Sequence, residues 1–195
     1  CLIFFSRMSG KSSNMDVVRI LVLVYLGNML GAILIALMAF SSGQFDYSGG
    51  MLGGFVIKTA VAKVTQSPMK LFVSANLCNI LVCLSVLMAN ASKDVVGKML
   101  AAFFPILAFV IGGYEHCVAN MYYIPAGILA MTRSDYREAA MTQYGVTAVQ
   151  MEALSVKSFF LTNLVPVTLG NLVGGIVLIA VPFYLIYRKK EEVLS

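Results

Sequence analysis

Residues 99–131, MLAAFFPILAFVIGGYEHCVANMYYIPAGILAM, form the apolar run on which the expected fold depends. A membrane-spanning helix needs about 20 consecutive apolar residues, so this run is long enough to cross a bilayer. The Gly112–Gly113 pair and Pro125 predict two interruptions, because glycine pairs loosen a helix and proline removes a backbone donor. Glu115 and His116 follow the glycines at once. A broken intramembrane helix with ionisable residues is typical of a transport site, so we expect a membrane channel or transporter for a small solute.

The composition places the chain among membrane proteins. Of its 195 residues, 59% are hydrophobic and only 12% are charged, whereas soluble domains carry about 25% charged residues. The net charge is +5, but the basic residues stand mostly at the ends of apolar runs, where such residues bind lipid headgroups. We therefore expect an all-α integral membrane protein whose partner is the lipid bilayer, with no nucleic acid.

Three further apolar segments are long enough to span the membrane. They are residues 17–40, 69–90 and 158–187. Residues 41–68 are mixed and glycine-rich, and they include a short amphipathic stretch that predicts a helix. Residues 132–157 are polar and charged, so we expect them outside the bilayer with a short helix.

The chain begins with Cys1 and a short apolar segment, residues 1–5. Cys1 is either a lipidated mature terminus or the start of a fragment whose first membrane helices precede it. The absence of a small polar linker after Cys1 favours the fragment. The other cysteines, Cys78, Cys83 and Cys117, lie in apolar runs, where cysteine behaves as a small hydrophobe. Their spacing resembles neither a disulfide framework nor a zinc site, so we predict no metal and no cofactor.

Two of the spans share an internal repeat. Residues 25–32, YLGNMLGA, are similar to residues 168–175, TLGNLVGG. The spacing of Gly27 and Gly31 predicts close contact with another helix. Three loops separate the two copies, so they run in opposite directions and predict an inverted repeat. The intact protomer would then have six spans, with residues 1–5 ending a broken second helix and the 99–131 run forming a broken fifth.

The distribution of basic residues predicts the orientation. Eight of the 14 Lys and Arg residues fall on the side of the C-terminus, which places that end in the cytoplasm and the protein in the plasma or inner membrane. Lys58 and Lys63 would face outward. They are either solvated or headgroup-bound lysines, or a cationic lid over the mouth of an anion pathway.

Asn28, Asn76 and Asn79 are among the amides that lie within the apolar spans. Asn76 and Asn79 are three residues apart and share a helix face. Such amides either join helices through hydrogen bonds or line a polar path, and both interpretations stay open here.

His116 is the only histidine in the chain. An anion that enters a narrow pore loses water and needs donors there. Imidazole can donate a hydrogen bond and can transfer a proton near neutral pH, which would neutralise the base of a weak acid at the most costly point. A pore-facing carboxylate would repel anions, so for Glu115 we favour a structural role in the break or a pair with a lysine.

Two long motifs resemble the formate/nitrite transporter family. Gly113–Met121, GYEHCVANM, followed by Ile124-Pro125 and Gly127, is similar to its fifth-helix motif, and Leu164–Gly175, LVPVTLGNLVGG, is similar to its sixth-helix motif. The resemblance covers the whole chain. It implies an aquaporin-like six-helix inverted-repeat protomer with broken helices 2 and 5, of which this chain holds the end of helix 2 through helix 6. Residues 1–195 would be a single, partial membrane channel domain of a homopentamer.

The resemblance also implies roles for six residues. His116 matches the central pore histidine, and Asn171 matches an asparagine that hydrogen-bonds near it. Lys63 and Asn79 match residues associated with anion attraction at the outer vestibule. Glu115 matches the glutamate beside the histidine, and Phe109 matches an aromatic residue of a pore constriction.

The family passes small monovalent weak-acid anions: formate, nitrite, lactate or hydrosulfide, depending on the member. We therefore expect passage of formate, nitrite or a similar anion, with a hydrosulfide-selective channel of the same fold as the alternative. An intramembrane enzyme using Glu115 and His116 lacks a partner nucleophile and a metal-ligand set, so we expect no enzyme. A non-transporting membrane scaffold is the remaining class.

Overall fold

The computed structural model describes the backbone of residues 2–194 and the side chains of residues 3–187. The alternatives for Cys1 and the side chains of the basic tail at residues 188–190 therefore lie outside the described residues. Every regular element within the described range is helical. The predicted all-α class is confirmed.

The first half of the chain alternates long and short helices. Its elements are α1 (Leu2–Met8), α2 (Asn14–Ser41), a 3₁₀ turn (Gln44–Asp46), α3 (Met51–Val64) and α4 (Pro68–Ala91). At the start of α2, the Ser13 hydroxyl accepts from the Asp16 backbone N–H at 3.1 Å, and the Asp16 carboxylate accepts from the Ser13 backbone N–H at 2.8 Å. This reciprocal cap satisfies amides that the helix itself cannot bond. Pro68 is favourable as the first residue of α4, because its missing N–H is not needed there.

The second half contains shorter helices. Its elements are α5 (Val95–Ile111), α6 (Cys117–Ala130), α7 (Ser134–Tyr144), α8 (Ala148–Glu152), α9 (Val165–Gly175) and α10 (Val181–Leu194). The Asp94 carboxylate caps α5 by accepting from the Gly97 N–H at 2.7 Å. Thr147 and Gln150 form a capping box at the start of α8.

Among the described residues, three helical stretches are long and apolar enough to cross a membrane. They are Asn14–Ser41, Pro68–Ala91 and Ser158–Tyr187, and they contain the three predicted spans. α5 and α6 are shorter apolar helices on either side of the predicted break. The amphipathic helix expected in residues 41–68 is α3, and residues 132–157 contain two short helices, α7 and α8.

The last span is not uniformly α-helical. Wider, π-helical turns precede α9 at Ser158–Leu164 and follow it at Ile176–Ala180. Pro166 lies at the second position of α9. Because a proline ring clashes with the carbonyl four residues earlier in an α-helix, the wide turn before it accommodates the ring.

The expected second interruption, at Pro125, was wrong. α6 continues through Pro125 from Cys117 to Ala130. Within membrane proteins, neighbouring groups and small local adjustments satisfy the carbonyl that a proline leaves without a donor, so a proline need not end the helix. The break at Gly112–Gly113 is present, and Gly113 has a left-handed φ of 64° that favours glycine.

The described residues form two compact units. The first unit comprises the residues up to Leu23, Phe72–His116, and the residues from Val167 onward. A hydrogen bond joins α1 and α10 within this unit, where the Tyr184 hydroxyl donates to the Met8 carbonyl at 2.7 Å.

The second unit comprises Val24–Leu71 and Cys117–Pro166. Its core is built around α3, α6 and α7, with Ile57, Ile124 and Tyr136 almost fully buried. Small residues set the spacing of these helices. A side chain at Gly53 would overlap the Tyr136 ring, and one at Gly127 would overlap Ala60.

Candidate functional site

The break between α5 and α6 is a short non-helical stretch. Helical hydrogen bonding ends where the Tyr114 N–H donates to the Phe109 carbonyl at 3.1 Å. The Tyr114 ring then lies over Gly112, and a Cβ at position 112 would come within 3.0 Å of that ring. The sequence favours this fold because a side chain would make a tight contact at Gly112 and would be strained at Gly113, where φ is positive.

Side chains from two spans hold the backbone of Glu115. Its N–H donates to the Ser74 hydroxyl of α4 at 3.1 Å, and its carbonyl accepts from the Asn171 amide of α9 at 3.1 Å. Glu115 is only 1% exposed. Buried backbone groups outside a helix need such partners, because no water replaces them. These bonds hold the backbone of Glu115, and the structural role favoured for this residue stays a prediction.

Asn171 is the centre of this junction. Its amide also donates to the Ala75 carbonyl at 2.8 Å, and its own backbone carbonyl accepts from the Asn79 amide. Asn171 is 6% exposed. One buried amide therefore ties α9, α4 and the break together, and its bonds to Ala75 and Glu115 are both buried.

Close packing of α9 on α4 makes this reach possible. A Cβ at Gly170 would lie 2.7 Å from the Ala75 side chain, and one at Gly174 would lie 2.5 Å from the Asn76 carbonyl. Only glycine allows the two backbones to approach this closely. The second copy of the internal repeat is therefore a helix-packing surface.

The aromatic ring of Phe109 lies beside the imidazole of His116. Their ring centroids are 5.7 Å apart and the planes are inclined by 31°. Both side chains are half-buried. The predicted constriction aromatic and the predicted pore histidine are thus neighbours.

In the second unit, Lys63 lies in the last turn of α3 and is half-buried. Its backbone carbonyl accepts from the Asn163 amide at 2.8 Å, and the Asn163 side-chain oxygen accepts from the Asn120 amide at 2.8 Å. Lys58 is on the exposed side of the same helix, with its Nζ 5.5 Å from the centre of the Phe55 ring. The two lysines therefore differ in environment.

A cluster of charged and aromatic residues lies at the start of α7. Arg133 contacts the Asp46 carboxylate at 3.1 Å and the Asp135 carboxylate at 2.6 Å. The Tyr136 hydroxyl donates to Asp46 at 2.6 Å. Hydrogen bonding to Arg133 lowers the pKa of Asp135. Burial, and then the bond to Asp46, raise the pKa of Tyr136 to about 12.

The structure brings together five of the six predicted site residues. His116, Phe109, Glu115, Asn79 and Asn171 belong to the first unit, and Lys63 belongs to the second. Asn79 lies in the middle of α4, where its amide holds the Asn171 carbonyl. The side chains that could carry a metal form no group of three or more His, Cys, Asp or Glu within the described range.

Three residues of these networks were not expected from the sequence: Ser74, Asn120 and Asn163. Ser74 and Asn120 are short polar residues in apolar helices, and this polarity is the one sequence feature that could have indicated a special role. Their partners are 41 or more positions away along the chain, so no local spacing predicts the pairs.

Comparison with known proteins identifies relatives along most of the chain. The family model described as "Formate/nitrite transporter" matches residues 1–185. The formate channel FocA of Haemophilus influenzae is 37% identical over 92% of this chain and 63% of its own length. FocA of Escherichia coli K12 is 31% identical over 98% of this chain and 66% of its own length. The chain therefore spans just under two thirds of the length of these relatives.

Solved structures agree with the sequence relatives. A pentameric formate channel with formate bound has a TM-score of 0.78 and 34% identity, covering 88% of this chain and 67% of that one. An ion channel of the same family has a TM-score of 0.69 and 29% identity, covering 92% of this chain and 63% of that one. These proteins are named as channels and not as enzymes, and the predicted multi-pass, all-helical membrane fold is confirmed. The chain belongs to the formate/nitrite transporter family.

Proposed function

We propose that this protein passes formate and related small monovalent weak-acid anions across a membrane. The observation that carries the proposal is the broken helix at Gly112–His116, whose backbone is held by Ser74 and Asn171 beside the only histidine of the chain. Non-helical backbone within a membrane is tolerated where it is buried in protein or lines a wet cavity. Formate is the reference substrate because formate channels are among the relatives.

His116 is the proposed donor to the anion in the pore. An anion that leaves water loses hydration free energy on the order of tens of kcal/mol, and donors in the pore must offset that loss. The imidazole donates a hydrogen bond and, when protonated, gives its proton to the anion, which then crosses as the neutral acid. His116 also directly precedes α6, and the amides at the start of a helix carry partial positive charge.

Phe109, Glu115 and Asn171 shape the same site. The Phe109 ring beside the imidazole narrows the path and excludes water, which strengthens the donor. Glu115 and Asn171 keep the break in one conformation, so the imidazole needs no rearrangement when the anion arrives.

Lys63, in the second unit, is proposed to attract the anion at the outer vestibule, and Asn79, in the first unit, is proposed to bind the anion. A lysine at the mouth of a narrow path raises the local anion concentration and the rate of entry. Asn79 contributes its amide, and it also holds the Asn171 carbonyl. In this proposal Lys63 acts on the entry of the anion, and the permeation step depends on His116.

The proposed assembly is a homopentamer in the plasma or inner membrane, with one pore in each protomer and the C-terminus in the cytoplasm. Residues 1–195 form one partial channel domain in this proposal. Support comes from the pentameric state of the similar formate channel and from the excess of basic residues near the C-terminal side. Nitrite and hydrosulfide share the charge and acid–base chemistry of formate and are the competing substrates.

The test is flux through the full-length protein in liposomes. Formate, nitrite and hydrosulfide influx are compared with and without an inward proton gradient, in the wild type and in His116→Asn. Ser85→Ala is the matched control, because Ser85 is a buried polar residue whose hydroxyl donates to the Val82 carbonyl of its own helix. We expect His116→Asn to fold and to lose the pH-dependent flux, and Ser85→Ala to keep it.

Two outcomes would contradict the proposal. Absence of flux of all three anions in the wild type would refute transport. Robust flux in His116→Asn that is indifferent to pH would refute proton donation and reduce His116 to a packing residue.

A further inference from the structure

Two fully buried asparagines in the second unit have no part in the pore chemistry described above. Asn120 and Asn163 are both 0% exposed. A buried amide is costly unless it is hydrogen-bonded, so each one requires a specific partner. The partner of Asn163 is the backbone of Lys63, the residue proposed to attract the anion.

The hydrogen-bond donors and acceptors of this group can be assigned from chemistry alone. The Lys63 carbonyl only accepts, so the Asn163 atom that faces it at 2.8 Å is the NH₂ group. The Asn163 oxygen is then left to accept, and the atom of Asn120 that faces it at 2.8 Å is the donating NH₂ group. Asn120 thus keeps Asn163 in the one orientation that can bond Lys63.

The bond to Lys63 acts at the end of a helix. The last four carbonyls of a helix have no amide in a following turn, and Lys63 is the penultimate residue of α3. Asn163, 100 positions later in the chain, supplies the missing donor. The neighbouring α3 residues Val61 and Val64 are buried. This end of α3 is therefore held both by apolar packing and by the Asn163 amide.

We propose that Asn163, oriented by Asn120, is a positioning residue that fixes the end of α3 and thereby sets the contribution of Lys63 to anion capture. This inference rests on the proposed function. Asn163 does not touch the anion. It fixes the backbone of Lys63 and hence the direction in which the lysine side chain leaves the helix. Its loss should weaken capture and leave the permeation step at His116 intact.

The experiment is a double-mutant cycle on formate influx in liposomes with the full-length protein. The variants are Lys63→Ala, Asn163→Leu, their combination, and Ser85→Ala as the control for loss of a buried polar contact. We expect Asn163→Leu to raise the half-saturating formate concentration about three- to tenfold, as loss of one buried hydrogen bond would. Maximal flux should stay within about twofold of the wild type. In the Lys63→Ala background, Asn163→Leu should add no further change.

A second measurement reads the position of α3 without using flux. Hydrogen–deuterium exchange of the peptide containing residues 61–66 should become faster in Asn163→Leu and stay unchanged in Ser85→Ala. If Asn163→Leu assembles poorly, Asn120→Leu/Asn163→Leu replaces both amides by apolar groups, a change that is often better tolerated than loss of one partner. The same rise in half-saturating concentration and in exchange is expected for that pair.

Three results would overturn the inference. They are multiplicative effects of Lys63→Ala and Asn163→Leu, a loss of maximal flux at unchanged half-saturation, and unchanged exchange at the end of α3. A wild-type protein without formate flux would instead refute the proposed function, and the exchange measurement would still decide whether Asn163 holds α3.

Discussion

Two asparagines of the last span, Asn171 and Asn163, each donate a side-chain hydrogen bond to a backbone carbonyl of another element. Asn171 is in the first unit and holds the carbonyl of Glu115 in the break beside His116. Asn163 is in the second unit and holds the carbonyl of Lys63 at the end of α3. Both amides donate to backbone carbonyls that lie at the end of a helix or in a break between helices. The comparison teaches that one span holds the backbone of two proposed site residues, and that removing either amide should affect a different step of the proposed transport.

The largest effect is expected from Asn171→Leu. The Ala75 and Glu115 carbonyls both lose this donor, and each loss costs about 1–3 kcal/mol. We expect maximal formate flux to fall by at least about 30-fold with little change in half-saturation. Stopped-flow influx into liposomes measures both quantities. A fall no larger than that of Asn163→Leu would remove the distinction between the two asparagines.

The next effect concerns the glycines of the two repeat copies. Gly174→Ala would place a Cβ 2.5 Å from the Asn76 carbonyl, and such overpacking costs about 1–3 kcal/mol. Gly31→Ala is the matched control, because a Cβ there meets nothing within 4 Å among the described residues. Thermal unfolding in detergent should show a lower midpoint for Gly174→Ala only. Equal destabilisation by Gly31→Ala would mean that a segment outside the described residues covers the first copy.

The same experiment tests the close helix contact that the sequence predicts at Gly27 and Gly31. In the described part of the chain, the close contact occurs at Gly170 and Gly174 instead, where α9 lies against α4. The repeat therefore has one copy with its packing partner present and one copy open.

A smaller effect is expected at the other end of α3, where the Tyr136 ring packs on Gly53. Tyr136→Phe keeps the ring and loses the bond to Asp46, which should lower stability by about 1 kcal/mol. The pKa of Tyr136 is raised from 10.0 to about 12. A raised pKa contributes stability below pH 10 that is lost as the pH rises from about 10 to about 12.

Thermal unfolding between pH 9 and pH 12 measures this contribution. The wild type should lose more stability than Tyr136→Phe across that interval. Parallel pH profiles for the two proteins would show that the hydroxyl does not stabilise this end of α3.

The smallest effect is expected from Lys58→Ala. Lys58 is exposed and stacks over Phe55 and Tyr144, a contact of about 0.5–1 kcal/mol at most. Half-saturation for formate should change by less than about twofold, compared with the larger change for Lys63→Ala. Equal changes for both lysines would favour a diffuse cationic surface and weaken the role given to Asn163.

The sequence alone determined the class of protein and the positions of its membrane-length helices. Apolar runs of membrane length can satisfy their backbone only as helices, so the spans at 17–40, 69–90 and 158–187 followed from hydropathy. The break at Gly112–Gly113 followed from local chemistry. His116, Glu115 and Asn171 were identified by their motifs, which are contiguous in the chain.

Only the tertiary structure decided how these parts are held together. Ser74 on Glu115, Asn163 on Lys63, and the packing of Gly174 on Asn76 each join residues that are far apart in sequence. Pro125 was misjudged for the same reason, because its surroundings decide whether a proline breaks a helix. Hydropathy and motifs report on residues within one helical turn or one contiguous segment. Hydrogen bonds between buried amides and carbonyls depend on how the helices pack, and the local sequence does not encode that partner choice.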